Sequence, residues 1–101
     1  MIVVNAVIES TAENIAKMQP AIAAMEAASR AEPGCGDYTF SVELNNPENL
    51  RITEKWDSMD ALVKHFSEPH MVDFQAAMAA HPPKSVSATF YEAEEVSPPG
   101  R

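Results

Sequence analysis

The sequence predicts an α+β domain in which an antiparallel sheet carries helices on one face. Three observations lead there. Apolar and polar residues alternate at period two over Ile2 to Glu9, Asp37 to Leu44 and Leu50 to Asp57. Apolar residues recur at helical spacing after Ser10 and again after Ser58. The elements follow one another as strand, helix, strand, strand, helix pair, strand, and at 101 residues the chain has room for one modest core and no second domain.

The first strand, Ile2 to Glu9, turns Ile2, Val4, Ala6 and Ile8 to one side and Val3, Asn5 and Val7 to the other. Both sides are largely apolar, which suits a central strand covered on both faces, and one small domain has helices for only one of them. The remaining face is expected to meet a second subunit. Asn5 is the polar exception, satisfied by backbone or aimed into a polar pocket. Ser10 with Glu13 has the form of a capping box, and Ile15, Met18, Ile22 and Met25 form the apolar stripe of a helix to about Arg30, with a kink or short break expected at Pro20. Methionines so spaced read as core filling. Pro33 and Gly34 are stop signals. Tyr38, Phe40, Val42 and Leu44 make one face of the second strand, and Asn45 to Asn49 the turn into the third.

The third strand and the two helices after it form the richest stretch, Ile52 to Phe74, with the only Trp and two of the three His. Leu50, Ile52, Glu54 and Trp56 share a face. Ser58 reads as the cap of a short helix with Met59, Leu62, Val63 and Phe66 as its apolar side, and Ser67 as the cap of a next helix that Pro69 can open. So His65 ends one helix and His70 begins another. Pro82 and Pro83 break the chain before a closing strand in Ser85 to Glu94, and a tail over 97–101 is expected to fray. This order is that of a ferredoxin-like domain over 1–96.

Composition removes several functions. Seven basic against fifteen acidic residues give a net charge of −8, so nothing tracks a nucleic-acid backbone. No apolar run is long enough for a membrane span, and a cytoplasmic protein is expected. Cys35 is single and reads as a small apolar residue without an activating base. His65, His70, His81 and Glu54 are metal-ligand types, but two histidines five apart across a proline share no helical face, and no metal site is predicted. No serine sits in a glycine-flanked elbow. General acid or base chemistry by His65 or His70 is better founded, with Trp56 beside Glu54 able to flank a flat aromatic ligand.

EPGC at Glu32 to Cys35, EKWDS at Glu54 to Ser58, HFSEPH at His65 to His70 and the aromatic Phe74 together resemble the antibiotic biosynthesis monooxygenase family. The resemblance covers nearly the whole chain and is nearest to small bacterial quinol monooxygenases. It implies a homodimer joined through the sheet faces as a dimeric α+β barrel, a pocket in each subunit between sheet and helices, and no flavin, haem or metal. A small aromatic substrate and O2 are the implied partners. By position it implies His65 as base, Asn5 as partner of the substrate oxygen, and Trp56, Tyr38, Phe40, His70 and Glu54 as substrate contacts. Against the haem-degrading branch, His65 stands where a catalytic Trp belongs and Gln75 where a haem-ligating His belongs. A family isomerase acting on a small phosphorylated signalling sugar is one alternative that the resemblance implies, although the chain is acidic and no Arg stands in the motif. A dimeric module that holds an aromatic metabolite unchanged is the alternative from another class.

Overall fold

A computed structural model describes residues 1–100 and gives β1 (Ile2–Glu9), α1 (Ala12–Arg30), β2 (Cys35–Glu43), β3 (Asn46–Trp56), α2 (Met59–His65), α3 (Pro69–Ala80) and β4 (Ser85–Glu92). The strands form one antiparallel sheet in the order β2-β3-β1-β4. This is the ferredoxin-like arrangement, because each β-α-β crossover leaves a gap that the strand of the other half fills. Register sets the faces. Ile2, Val4, Ala6 and Ile8 lie opposite Trp56, Glu54, Ile52 and Leu50, and all of these are buried. Their face is the one under the helices, where Met18, Met25, Leu62 and Phe74 complete the core. Met18 and Met25 are thus packing residues.

Local chemistry explains most boundaries and corrects a few. Thr11, and not Ser10, caps α1, its hydroxyl accepting from the Asn14 N–H at 3.1 Å, while Ser10 is buried and bonds Glu48 through its backbone N–H. The helix runs unbroken through Pro20. The second turn is tighter than expected, since β3 already begins at Asn46. Ser58 caps α2 as its position suggests, accepting from Ala61. Ser67 does not cap α3: Glu68 holds that place without a side-chain bond, and the Ser67 hydroxyl donates to the Lys64 carbonyl at 2.8 Å. Of the expected apolar side of α2 only Leu62 is buried; Met59, Val63 and Phe66 are exposed. Nothing regular follows β4, and of the expected tail, Arg101 lies outside the described residues.

Two features hold β2 in place. A register shift between Cys35 and Asp37 gives the strand a bulge at Gly36, after which Tyr38 falls opposite Glu54 and Phe40 opposite Ile52, both on the helix face. Glu26 and Arg30, one turn apart on α1, then bond the outer edge of the strand: the Phe40 N–H donates to Glu26 Oε2 at 2.7 Å and Arg30 Nε donates to the Tyr38 carbonyl at 2.9 Å. A free sheet edge is sealed by helix side chains. No described helix is long and apolar enough to cross a membrane.

Gly34 closes the turn before β2. Its φ of +86° is left-handed, and a Cβ there would lie 2.8 Å from the Ala61 Cβ of α2. Gly34→Ala should therefore cost more than about 2 kcal/mol in urea unfolding. Gly36→Ala, whose Cβ meets nothing closer than 3.5 Å, should cost less than about 1 kcal/mol.

Candidate active site

The turn that Gly34 permits places Glu32 against the two short helices. Pro33 and Gly34 reverse the chain, and the Gly34 carbonyl accepts the Asp57 N–H at 2.8 Å, fastening the turn to the end of β3. From there Glu32 Oε2 reaches His65 Nδ1 at 2.6 Å and His70 Nε2 at 2.7 Å. His65 is the last residue of α2 and His70 stands in the first turn of α3. One carboxylate oxygen thus joins three segments remote in sequence. The side chains of His65 and Glu32 are 1% and 7% exposed, and that of His70 is 18% exposed, so the pair of imidazoles has a closed member and an open one.

An ionised carboxylate only accepts, so each ring donates an N–H to it. For a neutral His65 this fixes the proton on Nδ1 and leaves Nε2 as a bare lone pair. That atom is buried without a hydrogen-bond partner. The ring packs between Trp56, at 4.7 Å between centroids, and Tyr38, at 5.3 Å. Trp56 donates its indole N–H to Glu54 Oε1 at 2.9 Å, which satisfies a second buried acid. Burial pushes the Glu54 carboxyl above its ordinary value, the Glu32 charge adds to the rise, and the indole N–H and His65 oppose it. Burial likewise pushes the Tyr38 phenol up, with the Glu54 charge adding to it, and keeps the Cys35 thiol protonated, against any role as nucleophile.

The structure therefore brings together Glu54, Trp56, Tyr38, His65 and His70, with Phe40 next in line, its ring 5.8 Å from Tyr38 and 5.4 Å from Phe74. It does not bring Asn5 to them. Asn5 lies opposite Thr53 and Thr89, exposed on the far face of the sheet, because its odd position in β1 points away from Val4 and Glu54. A role beside His65 within one subunit is thereby corrected by the pleat. Glu32, for which the sequence suggested no task, is the centre of the cluster. Its only signal was an acid just ahead of Pro33 and Gly34, on a turn with no periodicity to read.

The cluster does not line an open pocket. A cleft of about 520 Å³ lies to one side, between α1 and the β2–β3 hairpin, with Ile15, Ile22, Phe40 and Leu50 among its apolar walls and Gln19 and Glu26 as polar ones. Phe40 is common to the cleft and to the aromatic column that ends at His65. The cleft lies between the sheet and α1, and from Phe40 in its wall the rings of Tyr38 and then His65 follow in contact.

A family model described as antibiotic biosynthesis monooxygenase matches residues 1–77, the span that holds Glu32, Glu54, His65 and His70. Among solved structures, one from Deinococcus radiodurans, provisionally named an antibiotic biosynthesis monooxygenase, is 28% identical with a TM-score of 0.89 over 97% of each chain. A conserved protein from Methanosarcina mazei Go1 has a TM-score of 0.85 at 24% identity over 92% of each chain. A structure from Mycobacterium tuberculosis has a TM-score of 0.83 at 22% identity, covering 96% of this chain and 98% of its own. The latter two speak for the fold alone. No curated protein matches the chain.

The raised Glu54 gives a pH test with a definite sign. A carboxyl whose folded pKa exceeds its unfolded value, ordinarily 4.5, binds protons more tightly in the native state, so its contribution favours folding at low pH and is lost as pH rises through the folded value. Glu54→Gln keeps an oxygen for the indole N–H and removes this loss. The stability of the variant relative to the parent should grow as pH rises above 4.5, as read by urea unfolding across pH 4 to 8; a flat difference would show that Glu54 titrates as it does in water.

Proposed function

Because the chain belongs to the antibiotic biosynthesis monooxygenase family, we propose that it oxidises a small electron-rich aromatic, a quinol or polycyclic phenol, with dioxygen and without a cofactor. The observation that carries the proposal is the unpartnered Nε2 of His65, a buried lone pair on a ring whose Nδ1–H is held by the Glu32 carboxylate. This is the arrangement of a general base: the carboxylate fixes the tautomer and stabilises the imidazolium that forms when Nε2 takes a proton. His70, on the same carboxylate oxygen and partly open, offers the proton a way to solvent.

In the proposed reaction the substrate ring enters the cleft and the Phe40 and Tyr38 rings, which stand in that order between the cleft and His65, shift so that the phenolic O–H reaches His65 Nε2. The phenolate passes one electron to O2, and the radical pair combines at a ring carbon bearing hydrogen. The peroxide so formed takes the proton back from the His65 imidazolium, and the hydroperoxide then loses water together with the hydrogen of that carbon, leaving one oxygen atom as a quinone carbonyl and the other in water. Tyr38, Phe40 and Trp56 hold the ring, and the chain supplies orientation and one base. Asn5, on the other face, has no part in this site.

The subunits are proposed to pair through that other face. Val3 and Val7 are half-buried there and Tyr91 is exposed, a narrow apolar strip amid Thr53, Arg51 and Lys55. Val7→Asp should shift the solution mass measured by light scattering from dimer to monomer.

A second reading has one observation in its favour. His65 is 1% exposed and the cleft stops at Phe40, which suits a module that binds an aromatic metabolite without changing it. Oxygen uptake with a panel of quinols and hydroxylated polycyclic aromatics, corrected for autoxidation, separates the two. The oxygenase predicts uptake with stoichiometric quinone, reduced about 100-fold or more in His65→Gln, reduced also in Phe40→Trp, and unchanged in Asn5→Ala. Saturable binding with uptake at the background rate would establish the binding module instead.

A further inference from the structure

We propose that Glu32, His65 and His70 form a three-ligand site for a divalent transition-metal ion, zinc foremost. This does not rest on the oxygenase reading and describes a separate state of the same residues, one in which His65 is not available as a base. The donor atoms, Glu32 Oε2, His65 Nδ1 and His70 Nε2, lie within 4.8 Å of one another. They come from a turn and two different helices, which is why the five-residue spacing of the histidines gave no sign of them.

The chemistry of the set fits. Two imidazoles and one carboxylate are borderline ligands that suit zinc, and three protein ligands leave a coordination position open. Zinc bonds of about 2.0–2.2 Å place neighbouring donors about 3.3 Å apart. Here the oxygen is 2.6 and 2.7 Å from the two nitrogens, so these two edges must lengthen by less than about 1 Å to admit the ion, and the two nitrogens already lie within 4.8 Å of each other. Glu32 stands on a turn, where such a shift is least costly. A metal on His65 Nδ1 moves the ring proton to Nε2, the buried atom that has no hydrogen-bond partner. The net charge of −8 adds a long-range attraction for cations. Metal occupancy and use of Nε2 as a base exclude one another, since both draw on the same imidazole.

Metal-free full-length protein titrated with Co2+ tests the site without reference to any activity. One equivalent should produce visible absorption bands of low-coordinate cobalt, which one equivalent of Zn2+ abolishes. Glu32→Gln and His70→Ala should weaken binding about tenfold or more, with circular dichroism as the check on folding, and His81→Ala, which changes the histidine outside the cluster, should leave it intact. If either variant fails to fold, imidazole NMR of the parent decides: zinc must shift the ring resonances of His65 and His70 and leave those of His81 in place. Absence of the bands, bands that persist in folded Glu32→Gln and His70→Ala, bands lost in His81→Ala, or zinc shifts confined to His81 would each overturn the proposal.

Discussion

One carboxylate oxygen organises this protein. Glu32 Oε2 bonds the end of α2 and the start of α3 from a turn that belongs to neither. Without that bridge α2 has little to keep it. It is seven residues long, too short to be helical by itself, and Leu62 and His65 are its only buried side chains. Its apolar side is otherwise exposed, so the anchor that fixes it is polar at one end and aliphatic in the middle. The left-handed Gly34 belongs to the same device, because the turn must approach Ala61 closely for Glu32 to reach across.

Burying Glu32 and Glu54 together is costly unless each acid finds donors, and the cluster supplies them to both. Two imidazole N–H groups go to Glu32 and the indole N–H goes to Glu54. Trp56 is thereby committed to an internal bond and packs against His65, buried, so it props that ring and forms no outer wall. The one polar atom of the cluster left over is His65 Nε2. An unsatisfied buried nitrogen is destabilising, and this one sits on the ring that Glu32 orients; the base role proposed for His65 rests on that position.

Much of this was legible in the sequence, for identifiable reasons. Period-two alternation put Glu54 and Trp56 among the apolar residues of β3 where they stand, while β1, apolar on both sides, did not show which side the helices cover. The helix ends at His65 and His70 followed from Ser58 and Pro69. What failed were inferences across strands and across turns. Asn5 shares a side with Val3 and Val7, and only the pairing Asn5 to Thr53 reveals that this side is opposite to Glu54. Glu32 meets partners 33 and 38 residues away, a relation no local pattern encodes. Ser10 and Ser67 mimic caps, but the hydroxyl one residue on at Thr11, and the backbone carbonyl of Lys64, offered better bonds.

The two edges of the sheet are treated differently, and the difference bears on where the site lies. At β2, Glu26 and Arg30 satisfy backbone groups that would otherwise recruit another strand, and they tie the backbone of Tyr38 and Phe40 to α1. At β4 no such seal exists among the described residues: every residue of the strand is exposed, including Val86 and Phe90, which register with buried Ile8 and Val4 on the helix side. The helix layer therefore stops short of β4. A domain of this size has apolar cover for only part of its sheet, and here that cover lies over the half that carries the acids and imidazoles. The edge at β4 and the far face with Val3 and Val7 thus lie outside the helix cover, while the acids and imidazoles lie in the half that α1 packs against.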